Sequence, residues 1–118
     1  MTILKIAVVT EGYDGLDNTV SHVFGKTKTF TIVTVEDGKI KNVKIIDNPA
    51  AAYHQGSGPI ASKTLAELKV DRVIASQLGP GASELLDYHK ITTIIVEPKT
   101  TVAVAINKAV SMSNNKHA

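Results

Sequence analysis

A chain of 118 residues fits one domain, and a domain of that size buries roughly two-thirds of the surface that its unfolded form exposes. Thirteen basic against eleven acidic residues leave a net charge of +2, too even for a nucleic-acid-binding face, and 4% aromatic residues leave few rings for stacking bases. Cysteine is absent, which excludes thiolate metal sites and redox disulfides and fits a reducing cytosol. No apolar run approaches a membrane span, and the amino end reads as a strand rather than a signal peptide. The expectation is one cytoplasmic domain over residues 1–118, with neither nucleic acid nor membrane as a partner.

In chain order, Ile3 to Thr10 is a short β-branched apolar run, a buried strand ending at Glu11 and Gly12. A polar loop with many turn formers runs from Glu11 to about Lys28, long enough to be functional or mobile. Thr29 to Glu36 and Lys39 to Asp47 flank Asp37 and Gly38, a hairpin signal because both turn positions require positive φ. Lys39, Lys41, Asn42 and Lys44 predict that the second hairpin strand lies at a sheet edge.

Three helices then alternate with two strands. The first helix is predicted to open at Gly58 and Pro59, with Pro59 in the first helical position and Ala61, Thr64, Leu65 and Leu68 facing the core. Arg72 to Ser76 is the next strand, and Gly79, Pro80 and Gly81 open the second helix, whose inner stripe is Ala82, Leu85, Leu86 and His89. Ile91 to Val96 is the last strand. Thr100 or Thr101 can cap the third helix, which buries Val102, Ala105, Ile106 and Ala109, and the tail from Ser113 is polar and expected to fray.

This order predicts an α/β fold with a mixed five-stranded sheet in spatial order 3-2-1-4-5 and helices on its faces. The direction in which the chain builds the sheet reverses between strands one and four, and ligands of open α/β sheets bind at such a point. Two glycine-gated helix starts, Gly56, Ser57 and Gly58 before one helix and Gly79 and Gly81 at the other, are expected to share one pocket with Thr10, Glu11 and Gly12. Glycine lets backbone approach a ligand, and a helix start offers unpaired N–H groups to an anion. The plainer alternative for each motif is a capped turn.

Five stretches in this order resemble one family: LKIAVVTEG, VSHVFGK, the hairpin around Asp37 and Gly38, NPAAAYHQGSGP and VIASQLGPGA. Together they are similar to dinitrogenase iron–molybdenum cofactor-binding domains of the NifX and NifB C-terminal type, over roughly Ile3 to Val110. The resemblance implies a ribonuclease-H-like three-layer fold. It also implies carriage of an iron–molybdenum cofactor or iron–sulfur precursor cluster during nitrogenase assembly, with cofactor-assembly proteins as partners. One departure is visible. The family often carries His immediately before Phe-Gly; here Val23 holds that place and the imidazole stands one residue earlier, at His22.

Without thiolates, the metal-ligating candidates are His54, just before the first glycine motif, and His22. A single loop histidine such as His54 is more often a solvated side chain, and Ser76 is a polar contact at a strand end. His89 suits a helix C-terminus, and His117 lies in the tail without a role. The expected function is a binding module without enzymatic chemistry. The rivals are a regulatory domain for a small anion or nucleotide, and a metal-dependent hydrolase using Glu11. The hydrolase lacks a converging acidic set, since Asp71, Glu84 and Asp87 fall elsewhere.

Overall fold

The computed structural model describes residues 2–115. Strand β1 (Ile3–Thr10) is followed by a 3-10 turn (Gly15–Asp17), strands β2 (Thr29–Glu36) and β3 (Lys39–Asp47), helix α1 (Ser57–Glu67), β4 (Arg72–Ala75), α2 (Pro80–Tyr88), β5 (Thr92–Ile95) and α3 (Val102–Asn115). The sheet order is β3-β2-β1-β4-β5, as the sequence predicts; β1 pairs antiparallel with β2 and parallel with β4. Asp37 and Gly38 take φ of 51° and 83°, which turns the hairpin with the twist of its strands. The register shifts after Thr34, where Lys41 is an extra residue bulging from edge strand β3.

Right-handed crossovers place α1 and α2 on one face of the sheet, where Lys5 of β1 reaches the carbonyl of Leu68 at the end of α1 (2.7 Å). Helix α3 covers the other face, where Arg72 of β4 donates to the carbonyl of Ala109 (3.2 Å). Both faces of β1 are therefore buried. Ile6, Ala7, Val8 and Val9 are fully enclosed, and this explains an apolar run with no alternation. All four residues expected on the inner stripe of α3 are buried, and Thr101 Oγ1 accepts from the N–H of Val104 (3.3 Å), so Thr101 is the cap.

Several boundaries differ from expectation. Helix α1 opens at Ser57, not Gly58, because Gly56 at φ 75° turns the chain first; Pro59 then sits in the third helical position, where its missing N–H still costs nothing. Ser62, absent from the expected stripe, is fully buried, while Thr64, Leu68 and Leu85 are only half-buried and His89 is exposed. Strand β4 ends at Ala75, leaving Ser76 in the loop, and β5 is shorter at both ends. Helix α3 continues through Ser113 to Asn115, where fraying was expected; His117 lies outside the described residues.

Helices α1 and α2 end in the same way. Lys69 and Lys90 adopt φ of 58° and 62°. The N–H groups of Val70 and Ile91 return to the carbonyls of Leu65 and Leu86, and those of Lys69 and Lys90 to Ala66 and Asp87. These are paired Schellman closures, each with a buried apolar residue after the left-handed one. Lysine is strained there. Relief of about 1–2 kcal/mol of left-handed strain, less about 0.4–1 kcal/mol for the looser unfolded chain, leaves a net gain for glycine. Lys90→Gly is expected to raise unfolding free energy by about 0.5–1 kcal/mol in urea titration; an unchanged or lower midpoint would contradict this account of the helix end.

Candidate functional site

The loop after β1 closes over the carboxyl ends of the parallel strands. Ser21 is nearly fully buried; its N–H donates to the carbonyl of Val9 (2.9 Å), and its own carbonyl accepts from the Ser76 hydroxyl (2.8 Å). Gln77 Nε2 donates to the carbonyl of His22 (2.7 Å). Upstream, Val20 exchanges backbone bonds with Lys99 and Thr100, and the carbonyl of Asn18 takes the N–H of Val102, which ties the loop to the start of α3. Downstream, buried Asn48 donates to the carbonyls of Gly25 and Thr27 (both 2.9 Å). Residues 18–27 thus form a strap across the gap between β1 and β4, bound to both sides of it. The segment expected to be functional or mobile is, through this stretch, a packed part of the domain.

The strap leaves a cleft on its outer side. Val23, Phe24 and Gly25 form one wall, Ser57, Gly58 and Pro59 at the start of α1 a second, and Gln77, Leu78, Gly79, Gly81 and Ala82 the third; the cleft holds about 470 Å³. Gly25 packs directly on the start of α1: a Cβ there would lie 2.6 Å from the N of Gly58 and 2.7 Å from Ser57 Oγ. The two helices are fastened by Ser62, whose hydroxyl lies 3.0 Å from the carbonyl of Gly58 and 3.4 Å from that of Ala82. None of the lining residues carries an ionisable side chain. The polar groups available are the Ser57 hydroxyl, the Gln77 amide and the free N–H groups of two helix starts.

The expected site residues are therefore only partly brought together. Ser57, Gly58, Gly79 and Gly81 line the cleft. His22 and Ser76 line a smaller pocket of about 260 Å³ with Gln77 and Pro98, so Gln77 is the partition between the two. Gly56 and His54 are exposed beyond the first helix start and line neither pocket. Thr10, Glu11 and Gly12 do not reach the cleft, because the strap lies between. Thr10 is fully buried, its hydroxyl 2.6 Å from that of Thr29 and 2.9 Å from that of Thr31. Glu11 accepts from Thr19 (3.4 Å), and Gly12 gives its carbonyl to the Thr29 hydroxyl (2.7 Å). Beside them, Tyr13 donates to the Asp47 carboxylate, a bond that holds its phenol above the usual tyrosine pKa, and Lys28 lies over its ring.

Sequence reasoning missed Gly25, Gln77 and Ser62. The Phe-Gly pair was visible in VSHVFGK, but only tertiary contact shows what Gly25 meets. Among the described residues no group of three or more His, Asp or Glu could hold a metal ion, and no helix is long and apolar enough to cross a membrane.

This architecture defines a small α/β domain with a neutral cleft at two helix starts. Residues 4–112 match the family model described as dinitrogenase iron–molybdenum cofactor, and the chain belongs to that family, which is of the cofactor-binding type. An uncharacterised protein of Methanocaldococcus jannaschii is 30% identical over 100 residues, covering 80% of this chain and 85% of its own. The apo form of the orange protein from Desulfovibrio gigas is similar in structure, with a TM-score of 0.83 at 27% identity over 94% of this chain and 90% of that one. A Thermotoga protein proposed to be a NifB protein, of the DUF35 family, gives 0.70 at 29% identity over 92% and 88% of the two chains.

The contact at Gly25 is testable. Gly25→Ala is expected to cost about 1–3 kcal/mol in urea unfolding, because the methyl meets backbone that cannot yield. Gly79→Ala, which meets nothing within 4 Å, should stay within about 0.5 kcal/mol of the parent. Equal effects would show that the strap does not press on α1.

Proposed function

We propose that this chain carries an iron–molybdenum cofactor, or an iron–sulfur precursor of it, as cargo in the cleft between the starts of α1 and α2, and does no chemistry on it. Family membership supports the cargo class. One structural observation carries the location: two helix starts and a glycine-backed strap enclose a cleft without an ionisable side chain. An anionic cluster there meets positive helix ends and N–H donors without opposing carboxylates. With no thiolate to bond iron, the grip is by hydrogen bonds and shape. That suits a carrier that must release its load to cofactor-assembly proteins. His22 supplies the nearest imidazole, across Gln77, and His54 stands at the outer rim.

The test is anaerobic titration of an iron–sulfur cofactor precursor, followed by absorbance. Gly81→Asp separates binding from folding. Its side chain enters open space, and an acid in the first turn adds about 0.3–1 kcal/mol to helix stability. The same carboxylate opposes an anion at the cleft by about 1–4 kcal/mol, so affinity should fall about fivefold or more while thermal stability holds or rises. If the cluster is held from the cleft alone, His22→Ala and His54→Ala should each change affinity by less than about twofold, and a larger loss at His22 would mean that the cargo reaches past Gln77 into the neighbouring pocket. Identical titration curves for the parent and Gly81→Asp would remove the cargo from this cleft. A thermal shift with ATP and none with the precursor would favour the nucleotide-binding rival.

A further inference from the structure

The matching ends of α1 and α2 also meet. The N–H of Thr92 donates to the carbonyl of Asp71 (3.1 Å), which sets the turn after α1 beside the turn after α2, at the far end of both helices from the cleft. Between the turns lies a pocket of about 360 Å³, lined by Lys69 and Asp71 from one and by His89 and Lys90 from the other. Among the described residues neither ammonium makes an ion pair or a hydrogen bond. The His89 imidazole makes none either; its ring meets that of Tyr88 edge-on, with centroids 5.1 Å apart. The one acid of the pocket is engaged on its inner side, where Asp71 Oδ2 accepts the N–H of Lys5 (2.8 Å). The carbonyls of the helix ends are also taken: Leu65, Ala66, Leu86 and Asp87 accept from their own closing turns, and Leu68 accepts from Lys5 Nζ (2.7 Å).

Stability does not account for lysine at these two places. Both residues are left-handed, where glycine is favoured, and the strain is borne twice at equivalent positions. A lysine in the last turn would complement a helix dipole without strain, yet the last turns of α1 and α2 hold no basic residue. Backbone strain that a structure retains is a pointer to function. We propose that this pocket binds a phosphate group as its dianion, between the ammonium groups of Lys69 and Lys90, with the His89 ring as a further N–H donor. Lysine meets phosphate as a point charge, and donors arriving from two separate turns suit an anion whose oxygens point in several directions better than a planar carboxylate. The site lies apart from the cleft and does not rest on the cargo proposed there.

Titration of the isotope-labelled full chain with inorganic phosphate, followed by amide chemical shifts, tests this. Phosphate runs to about 50 mM at constant ionic strength, because salt screens exposed charges. Saturable shifts are expected at residues 69–71 and 89–91, and none at Lys39 or Lys41 of the edge strand β3. Glycine variants separate binding from folding, since glycine relieves the left-handed strain. Lys69→Gly and Lys90→Gly should each weaken binding about fivefold or more, and the double variant about twentyfold or more, while the urea midpoint holds or rises. Lys90→Arg keeps the charge and should bind within about threefold of the parent. Glycerol phosphate in parallel identifies the source: tighter binding than inorganic phosphate marks a phosphate monoester as the ligand, equal or weaker binding marks the free ion, and both lose affinity with the lysines. If a glycine variant fails to fold, the location of the shifts in the parent decides. Shifts that do not saturate, shifts spread evenly over the surface lysines, or affinity unchanged in the double glycine variant would overturn the proposal.

Discussion

The peptide of Ser21 is held from both sides, its N–H by Val9 of β1 and its carbonyl by Ser76 after β4. Those two bonds lie across the gap where an open α/β sheet ordinarily receives its ligand. The chain fills the gap itself, and the open cleft lies on the outer side of the strap. Strap residues Val23, Phe24 and Gly25 become one wall of a cleft whose other walls are helix starts. The close approach of Gly25 to Gly58 sets how far the strap stands from α1, and hence the width of the cleft. Thr10, which a simple switch-point geometry would offer to a ligand, instead sits in a buried threonine cluster with Thr27, Thr29 and Thr31.

The electrostatics follow from the same placement. The strap turns Val23 into the cleft and His22 into the neighbouring pocket, with Gln77 between. The cleft is left neutral, with donors supplied by backbone and by one hydroxyl and one amide. Such a lining cannot ligate a bare metal ion, which needs several charged or imidazole donors at short range. It can hold a preassembled anion, whose charge is spread over its surface, through many weak contacts. What the cleft can offer a ligand is therefore set by backbone geometry more than by side-chain chemistry.

Much of the fold was legible because it is encoded locally. The Asp37–Gly38 turn, the lysines of β3, the continuous apolar run of β1 and the inner stripe of α3 each report through the period of a strand or helix or the φ that a turn demands. The strand order followed from the hairpin and the right-handed crossovers. Ser62 was less legible, since a buried serine inside a helix reads as a surface residue until its carbonyl partners on α1 and α2 are known. Helix boundaries shifted by a residue where Gly56, not Gly58, took the left-handed turn.

Five strands, three helices, their order in the sheet and the glycine-gated openings of two helices are written in local pattern, because periodicity and turn chemistry act between residues a few places apart. Long-range contact alone makes residues 18–27 cross the strand ends, sets Thr10, Glu11 and Gly12 behind them, and leaves His22 and His54 outside the cleft. Those facts depend on hydrogen bonds between residues as far apart as Ser21 and Ser76, or Gln77 and His22. The polar composition of the strap is that of an ordinary loop, and nothing local in it shows which carbonyls will be met once the sheet and helices have closed around it.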